Sequence, residues 1–322
     1  MATLSEKVRR IRREVLGLNR RNQQFMAHLN PAPLVALVDH KARTKDVLAE
    51  HGLPVPETLG RYAHQRDLPR LTRNVDQHND FVLKPARGAG GEGVMVIAGR
   101  SNDRLVKASG ASLHVRDVVS HAADIIAGAF SLSQSRDEAL LERRLVADRV
   151  LGAFSPGGIP DVRVVVIHGV PIMAMLRLPT VASDGRANLH MGGVGVGIDL
   201  PTGRAVYAVW RDQEIALHPD NQQPLASIRI PFWSDILLMA SRSADAIALG
   251  YFGIDVVIDA RLGPAILEVN ARPGLSIQLA NHRGLRPLLA RLNPQSAAGL
   301  SPAARVSLGI EIVEATERET AP

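Results

Sequence analysis

Apolar and polar positions along this chain group into blocks that predict their own elements. The clearest block runs from Gly253 to Asn270. Two apolar runs flank Ala260-Arg261-Leu262-Gly263-Pro264, a turn-forming stretch, and predict a β-hairpin. If Ala260 to Gly263 form a four-residue loop, Asp255 stands directly across from Glu268. Asn270, two residues further on, then shares a face with Glu268. Three hard oxygen donors converge on one face of a hairpin that is otherwise mostly apolar. Two carboxylates side by side repel unless a cation lies between them.

A second block begins with the short apolar run Phe81-Val82-Leu83, which ends in Lys84-Pro85. It continues through a glycine-rich segment, residues 86–93, to a second apolar run, Val94 to Ala98. Strand, glycine loop, strand is the parse. Glycines let backbone N–H groups come close to phosphate oxygens, and Lys84 adds a positive charge at the edge of that cradle. The segment is no Walker loop, since no Gly-Lys-Ser/Thr follows, and no dinucleotide fingerprint, since a strand rather than a helix follows. With the carboxylate pair downstream, it points to a nucleoside triphosphate carried with Mg²⁺.

The remaining pattern is mixed. A helix starts near Thr44, an extended segment holds Pro54 and Pro56, and a polar helical stretch precedes Asp80. A long helix covers about Val115 to Phe130. Residues 143–290 read as a mostly antiparallel sheet with one apolar helix, about Ser234 to Leu249. Two of its strands, Val162 to Ile167 and Ile172 to Leu178, carry Arg163 and Arg177, which are costly to bury without an anion. A phosphate or substrate carboxylate accounts for both arginines; a structural ion pair accounts for either one singly.

Composition narrows the classes. The 322 residues include 46% apolar and 22% charged positions, enough for a real core and against extensive disorder. No cysteine is present, which excludes disulfides, zinc–thiolate sites and a cysteine nucleophile. No segment approaches about twenty uninterrupted apolar residues, and no signal-peptide core follows the charged start, so a cytoplasmic protein is expected. The net charge is +6, concentrated in Lys7, Arg9, Arg10, Arg12, Arg13, Arg20 and Arg21. Val8, Ile11, Val15 and Leu18 recur between them at helical spacing, predicting a basic amphipathic helix that packs one apolar stripe on the core. Peripheral membrane contact by that helix is the sharper alternative. Aromatic residues are only 3% of the chain, leaving few stacking platforms for a nucleic-acid partner.

Taken in order, these motifs resemble the ATP-grasp carboxylate–amine ligases, and among them the α-L-glutamate ligase homologues related to the ribosomal-protein glutamate ligase. The likeness runs from about Leu16 to Asn281. It rests on Asp39-His40-Lys41 with Gly52-Leu53-Pro54-Val55-Pro56, on Val82-Leu83-Lys84-Pro85 with Gly88, Gly90, Gly91 and Gly93, and on Leu140-Leu141-Glu142. Further along it rests on Asp161-Val162-Arg163, Ala174-Met175-Leu176-Arg177, Asn188-Leu189-His190-Met191-Gly192-Gly193, and Asp255, Glu268 and Asn270 with Pro273-Gly274.

The resemblance implies an α+β ATP-grasp fold, two α+β lobes gripping ATP between them, with a shortened N-terminal region. Residues 1–40 are then the basic helix and connector, 41–142 the lid lobe, 143–290 the metal-binding lobe, and 291–322 a peripheral, partly disordered arm. It implies ATP held by Lys41, Lys84, the loop glycines, Glu142 at an adenine hinge, and Arg163. It implies Mg²⁺, or Mn²⁺, on Asp255, Glu268 and Asn270, and catalysis by Arg177 with Lys84 and Asn188. The implied reaction forms an amide between an amino-acid carboxylate and a small-molecule or peptide amine through an acyl phosphate. Two rivals stand beside it, a nucleotide-binding regulator and a basic nucleic-acid-binding protein; a homo-oligomer is left open.

Overall fold

A computed structural model describes residues 11–88, 90–131 and 135–320. The chain divides into two compact units, residues 39–46 with 55–146, and residues 1–38 with 47–54 and 147–322.

The first unit is built on a six-stranded antiparallel sheet in the order β1-β6-β2-β3-β4-β5. The strands are β1 (Thr58–Tyr62), β2 (Phe81–Pro85), β3 (Met95–Ser101), β4 (Arg104–Lys107), β5 (Ser112–Leu113) and β6 (Ala139–Glu142). Helix α1 (Lys41–Glu50) begins in this unit, and α2 (Leu68–Asp76) and α3 (Val115–Ala127) complete it. Strand alternation assigns the faces. Phe81, Leu83, Ala139 and Leu141 join Leu71 and Val75 of α2 and Val118, Ala122 and Ile125 of α3 in the main core. The intervening positions point the other way, where Leu140 packs with Ala42 of α1 and Ala86. Lys84 and Glu142 share that second face. Helix α3 starts at a capping box, with His114 N–H donating to Asp117 Oδ2 at 2.8 Å, and stops at Gly128 with φ 93°.

The second unit carries a seven-stranded antiparallel sheet in the order β11-β10-β9-β8-β7-β12-β13. Its central strands β7 (Asp161–Ile167), β8 (Val170–Leu178) and β12 (Tyr251–Asp259) are buried along nearly their whole length. Around them run β9 (Val194–Ile198), β10 (Ala205–Trp210), β11 (Gln213–Glu214) and β13 (Gly263–Asn270). Helices α4 (Trp233–Ile247) and α5 (Pro302–Thr320) pack against this sheet.

Two expectations change here. Residues 302–320, expected within a partly disordered arm, form α5 instead. Ile312 and Val313 bury on it, and Arg305 donates to both carboxylate oxygens of Asp245 at 2.6 and 2.7 Å. The basic N-terminal helix is also different. Lys7, Val8, Arg9 and Arg10 lie outside the described residues. Beyond a helical turn at 11–14 the chain opens at 15–17, and Ile11, Val15 and Leu18 are exposed. The buried residue is Leu16, whose N–H donates to Gln278 Oε1 at 2.8 Å while its carbonyl accepts from Gln278 Nε2 at 3.1 Å. A side-chain amide satisfies both backbone groups of Leu16 in place of helical partners, and Gly17 that follows is extended, against the helical periodicity. Among the described residues no helix is long and apolar enough to cross a membrane.

Helix α5 meets β8 at Gly309, where an added Cβ would overlap the backbone carbonyl of Pro171. Alanine gains about 1 kcal/mol of helix propensity over glycine, and overpacking against rigid backbone costs about 1–3 kcal/mol. Because the clash is with backbone, the cost should win. Gly309→Ala is expected to lower the chemical-denaturation midpoint; a midpoint at or above wild type would contradict this packing.

Candidate active site

Lys84 ends β2 on the face turned away from the main core. In the β2/β6 register Val82 faces Glu142 and Lys84 faces Leu140, so Lys84 and Glu142 are diagonal neighbours on one face. Lys84 Nζ lies 2.8 Å from Glu142 Oε2, and Lys45 of α1 donates to Oε1 of the same carboxylate. All three side chains are at most 8% exposed. Burial pushes the Glu142 carboxyl up, but Lys84 and Lys45 overcome it and hold it low. Glu142, expected at an adenine hinge, is therefore a carboxylate engaged by two lysines. Lys45 was missed in the sequence; the available signal was its place one turn after Lys41.

The glycine segment starts from this cluster. Lys41 N–H donates to Ala86 O at 2.9 Å, and Lys41 Nζ donates to Gly88 O. Gly88 bridges to Ser131, and Arg87 N–H donates to Asp137 Oδ2 at 3.0 Å. Gly90, Gly91 and Gly93 all have positive φ. Gly93 is doubly required, since φ is 71° and a Cβ would sit 2.6 Å from the Phe130 ring. The segment is anchored at Ala86, Arg87 and Gly88, and the positive φ of Gly90, Gly91 and Gly93 suits glycine above other residues.

In the other unit, a row of charged residues crosses one face of four strands. Asp161 of β7 pairs with Arg177 of β8. One level along, Arg163 of β7 pairs with Asp255 of β12, which pairs with Glu268 of β13. Arg163 holds Asp255 through two bonds of 2.7 Å from Nε and Nη2. Arg177 holds Asp161 through Nε at 2.6 Å and Nη2 at 2.8 Å, and Nη2 also reaches Asp255 Oδ2 at 2.7 Å. Burial pushes the Asp255 carboxyl up, but the two guanidiniums prevail and hold it at about 2. Asp161 differs. Burial, with Asp255 as a like charge, outweighs Arg177 and pushes it to about 6.

Two expectations are corrected by this row. The anion that makes burial of Arg163 and Arg177 tolerable is the protein's own, Asp255 with Asp161. The cations beside Asp255 are likewise guanidiniums. The part played by Asp161 is not legible in the sequence, since it depends on which strands become neighbours. The Asp255–Glu268 opposition exists, by a different route from the one expected. Gly263 pairs with Asp259, which leaves a three-residue turn, and an extra residue, Leu267, shifts the register back before Glu268.

Asn270 stands two positions on from Glu268, opposite Gly253, and its Oδ1 accepts from Arg272 N–H at 2.8 Å. Both Glu268 and Asn270 are half-buried. Among the described residues no three His, Cys, Asp or Glu side chains gather as a metal cluster. The donor set still suits Mg²⁺, which takes hard oxygens and one or two protein carboxylates, the rest of its shell coming from water and phosphate. Asn188 lies in the loop between β8 and β9. Its Oδ1 accepts from His190 N–H at 3.0 Å and its carbonyl from Gly193 N–H at 2.9 Å, so it shapes that loop.

These are the α+β units of an ATP-grasp protein. The chain belongs to the sugar-transfer associated ATP-grasp family, whose model matches residues 20–293. It is similar to a protein named probable alpha-L-glutamate ligase from Xanthomonas axonopodis pv. citri (strain 306), with 25% identity over 257 residues, 79% of this chain. A protein of the same name from Xylella fastidiosa (strain M12) is 26% identical over 247 residues, 76% of this chain. The chain spans 64% of the length of the first relative and 60% of the second. The solved structure of the D-cycloserine synthetase DcsG matches 93% of this chain and 80% of its own, at 15% identity and a TM-score of 0.44, too loose a likeness to assign any residue a role.

Removing the charge of Asp255 leaves the buried Arg163 and the largely covered Arg177 with Asp161 alone. Breaking a buried pair of this kind costs about 3–5 kcal/mol. Asp255→Asn is therefore expected to melt several degrees below wild type with no ligand present, as read by circular dichroism. An unchanged melting temperature would mean the row is not a stabilising network.

Proposed function

We propose that this chain is an ATP-dependent ligase that joins a carboxylate to an amine through an acyl phosphate, in a cytoplasmic setting. The substrate class is an amino-acid or peptide carboxylate with an amine, in keeping with the names of its relatives. One observation carries the reading. Arg177 stands on β8 with its side chain 12% exposed and Nε and Nη2 fixed by Asp161 and Asp255, in the row that continues to Glu268 and Asn270. A guanidinium held in this way meets a developing oxyanion without first reorganising. Binding a nucleotide alone calls for no such group. Membership of the ATP-grasp family supports the same chemistry.

Mg-ATP, when bound, supplies the phosphoryl group that activates the carboxylate. The chain's residues bind and orient. Lys84, steered by Glu142, and the N–H groups of the glycine segment hold phosphate oxygens. Lys41 pins the segment through Gly88. Glu268 and Asn270 offer the cation hard oxygen donors, Mn²⁺ being the alternative to Mg²⁺, while Asp255 chiefly holds the arginines. Arg177 keeps Nη1 for the oxyanion, and Asn188 shapes the loop that follows Arg177. No covalent enzyme intermediate is needed; the work is positioning and charge neutralisation.

Binding and turnover separate these roles. Lys84→Met is expected to weaken Mg-ATP binding about tenfold or more, ~1.4 kcal/mol. Arg177→Lys keeps the charge and loses the fork, so it should bind Mg-ATP like wild type. Its ADP release, measured against a panel of amino acids and peptides, should fall by about a hundredfold. Equal ATP affinity in Lys84→Met, or no acceptor in the panel that stimulates wild-type ADP release, would count against the proposal.

A further inference from the structure

Residues 18–29 form a helix to which the site described above gives no task. Its middle, Arg21–Met26, is wound as a π-helix. It stops at Asn30, where the following Pro31 turns the backbone off the helical course, to φ −121° and ψ 90°. Asn30 is buried, and its side-chain amide makes three bonds. Oδ1 accepts from Tyr251 N–H at 3.0 Å, while Nδ2 donates to Tyr251 O at 2.6 Å and to Ala271 O at 3.1 Å.

The sheet explains why an amide belongs there. From their turn, β12 and β13 pair as far as Gly253 and Asn270. Beyond that pair β13 leaves the sheet, and the buried Tyr251 turns its N–H and C=O to the side where a strand is missing. Asn30 meets both groups as a strand would. Its second N–H takes Ala271 O, the first carbonyl after Asn270, and so fixes where the chain departs. Arg21, also buried, acts two residues further on. Its Nη1 donates to Pro273 O at 2.9 Å, and Asn22 Oδ1 accepts from its Nε and Nη2 at 3.1 and 2.9 Å. Between these two holds lies Arg272, whose N–H bonds Asn270 Oδ1. The backbone that orients the Asn270 amide is therefore gripped on either side from the N-terminal helix. An amide oxygen has two lone pairs, so the bond from Arg272 N–H aims it without exhausting it.

We propose that Asn30, with Arg21, is a positioning residue for the divalent cation: by clamping residues 271–273 it holds the side-chain oxygen of Asn270 where Mg²⁺ can take it. This rests on the reading that Asn270 is a metal donor. Mg²⁺ demands near-octahedral placement of its oxygens, so a donor on a slack loop serves it poorly. Groups that stand behind a metal's ligands contribute about 10–100-fold to metal affinity.

The test measures the affinity of the full chain for a non-hydrolysable ATP analogue by calorimetry, once with excess Mg²⁺ and once with a chelator. The ratio of the two affinities is the gain due to the metal. The nucleotide's own affinity for Mg²⁺ cancels between variants, and by reciprocity a loss of gain is a loss of metal affinity in the complex. Asn30→Ala should keep the chelator affinity within about twofold of wild type and lose about tenfold of the gain. Arg21→Met, which leaves the bonds of Asn30 in place, should lose several-fold. Asn270→Ala should lose the gain, and adding Asn30→Ala to it should take nothing more. A residue that merely holds the fold together would lower both affinities alike, or would add its loss to that of Asn270→Ala; either pattern would overturn the clamp. A full gain in Asn30→Ala and Arg21→Met, beside a lost one in Asn270→Ala, would overturn it too and leave the ATP site standing. A full gain in Asn270→Ala would remove the donor and the clamp together. Absence of analogue binding in wild type would overturn the ligase reading itself. Should Asn30→Ala not fold, Arg21→Met decides.

Discussion

A carboxylate held between two guanidiniums is what the buried face of β7, β8 and β12 depends on. Asp255 is 3% exposed and accepts three hydrogen bonds, two from Arg163 and one from Arg177. Without it two arginines would stand on strands that are otherwise apolar, a placement costing several kcal/mol per uncompensated ion. With it, and with Asp161, the charges balance two against two, and the guanidiniums become rigid. Rigidity is the property a group needs if it is to meet charge only when that charge develops. The interaction that makes the face foldable also aims Arg177.

The other unit resolves the same constraint differently. Its buried carboxylate, Glu142, is held by two lysines, Lys45 and Lys84. The glycine segment beside Lys84, anchored at Gly88 and Ala86 and with positive φ at Gly90, Gly91 and Gly93, adds backbone donors where a phosphate could use them.

Local pattern carried much of this. Alternation places Phe81 and Leu83 on one face of β2 and Lys84 on the other. What lay beyond the sequence was non-local or depended on backbone irregularity. The turn of the β12–β13 hairpin is three residues long, and only the bulge at Leu267 restores the opposition of Asp255 and Glu268; nothing in Ala265-Ile266-Leu267-Glu268 announces an extra residue. The ion pairs of Arg163 and Arg177 depend on which strands become neighbours, which no local period encodes. Helix α5 was hidden by the Ala, Ser and Pro-rich residues before Pro302, although Val306, Ile310 and Val313 follow at helical spacing. At the N-terminus the error ran the other way. A helical period ending at Leu18 is interrupted before Gly17, because Gln278, far along the chain, takes both backbone groups of Leu16.

The central claim is that a substrate carboxylate, and not water, receives the phosphoryl group. The most direct measurement follows oxygen. A turnover run with an amino-acid or peptide acceptor whose carboxylate carries ¹⁸O should release inorganic phosphate containing one ¹⁸O atom, with ADP as the nucleotide product. Unlabelled phosphate, or AMP with pyrophosphate, would contradict an acyl phosphate and with it the ligase account.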